Sequence, residues 1–388
     1  IAYVCTDPGV PVFGRKGCSV HVQEILRAFK KFGAHVVVFA ARTDGDSPAD
    51  LQELPVHQLP VWADADRTTR PASAVAANAA LRLALDRAGP FDLVYERHSL
   101  WSTAAMEHAR AMGIAGLLEV NAPLIDEEAR YRGPVDQIGA AAATRQSFST
   151  ATTLIAVSKS ITEYVHRYRD REDGVHVVPN GVDPSRFPPE LTASFPAPHG
   201  VLTLGFLGSL KPWHGVMTMA KAFEQLHRRA PNTRLLVVGD GPERDRLFAY
   251  LSDHRLLGVT TFTGAVESSH VPGLLASMDV GIAPYVNRPD FYFSPLKVYE
   301  YMAAGLAVVA SDLGQIAELI EHGVDGLLCP PDDPVAWTTA LLQLRANPDV
   351  RVRLGAAARQ KVLLHHNWDA IAVRILDLAK ASVMEAHV

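Results

Sequence analysis

The sequence predicts an α/β fold of the doubly wound kind, built as two Rossmann-like domains of parallel strands. Three observations predict it. Short β-rich apolar runs recur along the 388 residues, longer stretches with helical periodicity separate them, and the whole scheme restarts near residue 200.

In the first half, strands are expected at Ala2 to Cys5, Val36 to Ala40, Leu93 to Glu96, Ala115 to Glu119 and Leu154 to Ser158. Between the first two, Ser19 to Phe32 carries Val22, Ile25, Leu26 and Phe29 on one helical face, and Gly33 stops it. The Ala-rich run Pro71 to Ala88 reads as an exposed helix without chemistry. In the second half, strands are expected at Leu202 to Leu207, Leu235 to Val238, Thr260 to Thr263, Val280 to Ala283, Ala307 to Ala310 and Gly326 to Cys329. The halves are joined by a segment, 184–200, with five Pro, which limits helix and central-strand pairing. These features divide the chain into a domain at 1–190, a second at 191–365, and a closing helix at 366–388 that is expected to pack back on the first domain.

Composition narrows the function. With 48% apolar and 20% charged residues the chain should bury substantial cores. A net charge of −5 gives no chain-wide attraction to nucleic acid, which is not expected as a partner. Cys5, Cys18 and Cys329 are odd in number and lack metal-ligand spacing, so neither a disulfide framework nor a zinc site is expected, and a reducing, cytoplasmic setting fits. No apolar run approaches the roughly 20 residues of a membrane span, although a peripheral membrane contact stays open. Ile1 to Cys5 reads as a first strand rather than a signal-peptide core, and the lack of an initial Met leaves room for a short processed leader. Arg167, Arg169 and Arg171 read as a solvated face.

The most informative stretch is 290–320. A loop ending in Ser294-Pro295 enters a helix carrying Lys297 and Glu300, with Pro295 suited to the first helical position. Free amides and the dipole at such a helix start favour a phosphate. Glu300, more than a turn inside, is placed to accept hydrogen bonds from ribose hydroxyls. Taken alone, such a motif is more often a simple cap with a solvated glutamate. Its company changes the weight. Gly208-Ser209-Leu210-Lys211-Pro212-Trp213-His214-Gly215 follows the first strand of the second half, on the side of the sheet where open α/β proteins bind ligands. Its glycines permit close backbone approach, and Lys211, with His214, would neutralise a diphosphate leaving group. Val237 to Pro242 and Thr263 to Val266 end two further strands in the same manner.

These strings carry a resemblance. VVPNGVDPSRF (177–187), LGFLGSLKPWHG (204–215), LLVVGDGPERDRL (235–247), FTGAV (262–266) and SPLKVYEYMAAGLAVVAS (294–311) together resemble the retaining family-four glycosyltransferases of GT-B architecture, two Rossmann-like domains facing across a cleft. The resemblance implies a nucleoside diphosphate sugar held mostly by the second domain. Glu300 would take the ribose, backbone around Phe293, Ser294, Pro295 and Leu296 the phosphates and sugar hydroxyls, Lys211 the diphosphate, and Gly264 the flank of the base. Two departures from the family pattern stand out. Tyr292 occupies the position eight before Glu300 where a first glutamate is frequent, and Ser209 and His214 replace a common Arg and Lys, leaving Lys211 and Lys297 as local cations.

In the first half, the loop 7–21 has Gly14 and Gly17 where the backbone would approach the donor, and Arg15 and Lys16 are either phosphate or acceptor contacts or a solvated basic turn. The dinucleotide fingerprint is absent and no acidic residue closes the second strand, so a nicotinamide enzyme is disfavoured. His98 and Glu119 end two strands, where either would orient or deprotonate an acceptor hydroxyl, and Asn121 would bind sugar hydroxyls. For His98 a structural role is the competing reading, and His21 reads as a capping or packing residue.

The expected activity is retaining transfer of a sugar from a nucleoside diphosphate sugar to a hydroxyl or amine of a small soluble acceptor, such as an aminocyclitol, sugar or secondary metabolite. The catalytic candidates are His98, Glu119 and Lys211. No cofactor and no metal are expected, because no acidic motif presents a Mg²⁺ site. The alternatives are a nucleotide-sugar epimerase or hydrolase of the same architecture, and a catalytically silent nucleotide-sugar-binding protein.

Overall fold

The computed structural model describes residues 1–61, 69–132, 136–288, 291–292 and 294–386, with side chains for all of these except 131–132 and 384–386. Two compact units form, one of Ile1–Asn180 with Trp368–Val388 and one of Gly181–Asn367. The change of unit thus falls at Asn180, ten residues before the boundary expected from proline content. Packing explains the shift: Val182 and Phe187 are buried in the core of the second unit.

The first unit is a seven-stranded parallel sheet. Its strands are β1 (Ala2–Cys5), β2 (Val37–Ala40), β3 (Val56–Gln58), β4 (Leu93–Arg97), β5 (Ala115–Val120), β6 (Thr153–Ala156) and β7 (Val175–Val177), in the order β3-β2-β1-β4-β5-β6-β7. Strands β1, β4, β5 and β6 are buried along almost their whole length, so they read as continuous apolar runs rather than alternating ones. Strands β3 and β7, not foreseen from the sequence, are three-residue edge strands with exposed or half-buried residues. The helix Gly17–Lys31 crosses from β1 to β2. The final helix, Trp368–Ala386, packs against that helix and against β5. Arg169 is not part of a solvated face: it is buried, with its guanidinium donating to the Phe148 carbonyl at 3.0 Å.

The second unit is a six-stranded parallel sheet of β8 (Leu202–Leu207), β9 (Thr233–Val238), β10 (Thr260–Gly264), β11 (Val280–Ala283), β12 (Ala307–Ser311) and β13 (Leu327–Cys329), ordered β10-β9-β8-β11-β12-β13. Alternation along a strand feeds two cores. On β12, Val308 and Ala310 join Val298, Tyr301 and Ile316 on one face, while Ala307 and Val309 join Phe206, Phe223 and Trp337 on the other. The order reverses between β8 and β11, which places the loops after β8 and the entry to the helix Leu296–Ala303 at a topological switch point.

Candidate functional site

The C-terminal edge of the second sheet is tied together by backbone. Gly208 N–H donates to the Val238 carbonyl at 2.9 Å, Leu210 N–H to Asp240 at 2.9 Å, and Gly239 N–H to Gly264 at 3.0 Å. Loops following three strands therefore form one rim. Gly208 and Gly239 have φ of +133° and +125°, and a Cβ on Gly239 would overlap the Gly208 carbonyl oxygen, so the close approach requires glycine.

The helix Leu296–Ala303 is fixed to that rim through Tyr301, whose hydroxyl accepts from Leu207 N–H at 2.7 Å at the end of β8. Lys297 lies four residues earlier on the same helical face. Its ammonium is 4.2 Å from the centre of the Phe206 ring and 5.1 Å from that of Tyr285. A Cβ added to Gly208 would sit 3.0 Å from Lys297 Nζ, so the bare glycine leaves room for the amine. Burial drives the Lys297 amine down to about 7, against a smaller upward pull from Glu300. Pro295 stands at the N-cap rather than at the first helical position expected from the sequence; its ψ of 100° is extended, and helical geometry begins only at Leu296. No side chain caps this helix start.

Lys211 is half-buried with its ammonium 5.9 Å from the centre of the Trp213 ring. Ser209 is exposed. His214 is half-buried in the same loop. Burial, and then the nearby Lys297 charge, hold its imidazole down at about 2, and its Nδ1 is engaged by the Ser209 carbonyl of its own loop. Glu300 is half-buried and forms an ion pair at 3.5 Å with Arg186, which also donates to the Ser268 carbonyl and hydroxyl at 2.9 Å. Arg186 escaped the sequence reading even though it lies inside the string 177–187, because nothing local ties it to a residue 114 positions away. Ser294 is buried and paired with Tyr299, and Tyr292 is buried, so no carboxylate occupies the earlier position. Phe293 and Asp290 lie outside the described residues. Gly264 has φ of +68° at the end of β10.

In the first unit, Gly17 is the exposed first residue of the helix Gly17–Lys31, and Arg15 and Lys16 are exposed just before it. Glu119 is buried and paired. Burial alone would raise its carboxyl, but the charge and hydrogen bond of His21, at 2.8 Å, and the charge of Arg97, at 3.8 Å, outweigh that and hold it at about 2. His21, read from sequence as capping or packing, is half of this buried pair, and its ring meets Trp368 edge-on at 5.2 Å between centroids. His98 is buried 5.0 Å from the Phe148 ring, and burial lowers its imidazole to about 3, making it a weak base. Among the described residues, neither of its ring nitrogens has a hydrogen-bond partner. Asn121 is half-buried directly after β5. Among the described residues, no group of three or more His, Cys, Asp or Glu side chains is arranged to hold a metal ion, and no helix is long and apolar enough to cross a membrane.

Two all-parallel doubly wound sheets, one with a glycine-lined rim, a buried lysine and an Arg186–Glu300 ion pair near its switch point, define a two-domain α/β protein of the GT-B architecture. Solved structures share that fold over nearly the whole chain. The sucrose-phosphate synthase of Thermosynechococcus elongatus matches with a TM-score of 0.74 at 19% identity, covering 100% of this chain and 99% of that one. The Anabaena HepE protein, solved with UDP and glucose, matches with a TM-score of 0.72 at 17% identity, covering 98% of this chain and 100% of that one. The model for glycosyltransferase family 4 matches residues 15–186 and that for group 1 glycosyl transferases matches residues 202–347. The chain belongs to the family-four glycosyltransferases. Among curated relatives, the glycogen synthase of Mycobacterium tuberculosis is 28% identical over 59% of this chain and 53% of its own length. The phosphatidyl-myo-inositol mannosyltransferase of Mycolicibacterium smegmatis is 32% identical over 51% of this chain and 50% of its own. This chain thus spans about half the length of the curated relatives it matches.

Proposed function

We propose that this protein transfers a sugar from a nucleoside diphosphate sugar to an acceptor hydroxyl or amine with retention of anomeric configuration. The observation that carries the reading is the convergence, at one switch point, of the rim 208–215 with the entry of the helix Leu296–Ala303 and its Lys297 and Glu300. Glu300 receives the ribose hydroxyls, with Arg186 holding its carboxylate in place. The amides of Leu296 and Lys297 receive phosphate oxygens, and Lys211 and Lys297 stabilise the departing diphosphate. The leaving group departs from the face the acceptor attacks and assists removal of the acceptor proton, which suits a molecule whose candidate bases in the first unit are a locked carboxylate and a weakly basic imidazole. His98 and Asn121 then serve as hydrogen-bonding groups for the sugar or acceptor.

Charge stabilisation is assigned to lysines and oriented amides, so transfer proceeds without a metal. HepE was solved with UDP and glucose, and two mannosyltransferase relatives are named for GDP-mannose, which makes uridine and guanosine donors the first to try. The acceptor is a small soluble molecule, and the three free cysteines suit a cytoplasmic setting. The test is a melting screen of nucleoside diphosphate sugars followed by mass detection of product with the best donor across an acceptor panel. A stabilising donor and a product of the expected added mass support transfer; turnover without acceptor points to an epimerase or hydrolase. The buried Tyr292 in place of a carboxylate favours one second reading, a protein that binds the donor without transferring it, and donor binding with no product across the panel would establish that instead.

A further inference from the structure

Lys297 is 7% exposed and, among the described residues, its ammonium has no hydrogen-bond partner. Two aromatic faces attract the ammonium, but among the described residues no oxygen accepts a hydrogen bond from it. From β8 the Phe206 ring faces it, from the segment after β11 the Tyr285 ring, whose hydroxyl burial keeps protonated, and from the loop after β8 the neutral His214. On its own helix Glu300 is the acidic neighbour, and that carboxylate is shared with Arg186. An amine held this way favours its uncharged form until an anion arrives. The rim opposite is shaped to let one arrive: Gly208 puts no side chain against the amine, Ser209 carries no charge, and the uncapped helix start offers amides beside it.

We propose that Lys297 is the cation that meets the donor's diphosphate, and that the site captures a proton on its amine as the donor binds. This rests on the donor reading above. Before binding, the amine shares its proton with solvent at neutral pH; with a dianion alongside, the ammonium form is restored and offsets one of the two negative charges. Donor affinity then carries a pH dependence of defined sign, falling as the solution becomes more alkaline, because the proton must be drawn from scarcer supply.

Titration calorimetry of the full chain with UDP and with GDP, at about pH 8 in buffers of different ionisation enthalpy, counts the protons taken up. At that pH the terminal phosphate of a free nucleoside diphosphate is already ionised. The wild type should take up close to one proton per nucleotide, and its affinity should fall by nearly tenfold for each unit of pH above about 7.5. Lys297→Arg, charged throughout, should bind within a few-fold of wild type at about pH 8 and take up none. Lys297→Met should bind at least tenfold more weakly, again with no uptake. Nucleotide binding by the wild type without proton uptake overturns the proposal, as does uptake that persists in Lys297→Arg, or Lys297→Met binding as tightly as wild type. If neither UDP nor GDP binds the wild type, nor ADP in the same series, the donor reading itself falls and takes this proposal with it.

Discussion

Each unit buries a charged cluster, and the two clusters are built on opposite terms. In the first, Glu119 lies within ion-pair distance of both His21 and Arg97, whose charges offset the burial of its carboxylate. In the second, Lys297 is buried among Phe206, Tyr285 and a neutral imidazole, and nothing comparable repays it. Both residues are charged, buried and at the C-terminal side of a parallel sheet, and from sequence alone both are equal candidates for chemistry. Opposite charge separates them: the Glu119 cluster pairs its carboxylate with two cationic side chains and holds a fold, whereas the Lys297 cluster is incomplete, its ammonium having no hydrogen-bond partner among the described residues, and leaves room for a ligand's charge.

The largest expected effect lies in the Glu119 cluster. Glu119→Gln leaves Arg97 and His21 buried without their carboxylate and should cost about 3–5 kcal/mol of stability by denaturant unfolding, with nucleotide affinity unchanged. If the variant is as stable as wild type and loses transfer, Glu119 belongs to the reaction after all. The pH dependence has a matching sign. The Glu119 carboxyl is depressed when folded, so its contribution is complete above the ordinary carboxylate range, about 4.5, and is lost as pH falls towards about 2. Next comes Glu300→Ala, which would remove the charge-assisted hydrogen bonds proposed for the ribose and should weaken donor binding roughly 10–100-fold by calorimetry. Unchanged affinity would sink the ribose assignment.

Lys297→Met tests the incomplete cluster without ligand. The folded amine sits at about 7 against an ordinary 10.5, so the unfolded chain binds the extra proton between those values. Wild-type stability should therefore climb, relative to the variant, as pH rises from about 7 towards 10, and nucleotide-free Lys297→Met should melt higher than wild type at neutral pH. Identical pH profiles for the two proteins would show that the amine is not desolvated in solution. The smallest effect is expected from Arg186→Met, which frees Glu300 from its half-buried pair. Donor affinity should drop only about three- to tenfold, with the fold intact by thermal melting.

Much of this architecture is legible in the sequence, because central parallel strands are buried on both faces and announce themselves as apolar runs. Strands β3 and β7 are not, since Val56–Gln58 and Val175–Val177 are short edges that share their residues with solvent. The rim 208–215 and the helix bearing Lys297 and Glu300 were visible as local motifs. What those motifs do electrostatically was not. His21 and Glu119 are 98 positions apart, Arg186 and Glu300 are 114 apart, and no spacing rule links such pairs. The neutrality of His214 is likewise a property of burial, which a loop motif does not display.

The backbone bonds that join Gly208 to Val238 and Gly239 to Gly264 make the ends of β8, β9 and β10 one mechanical part. An engineer wishing to change base preference would reach first for the turn after β10, and would find it coupled to the turn that faces Lys297. Under the donor reading proposed above, redesign for a new nucleotide would have to graft the three turns as a single cassette, since exchanging one of them would retune leaving-group stabilisation along with base choice.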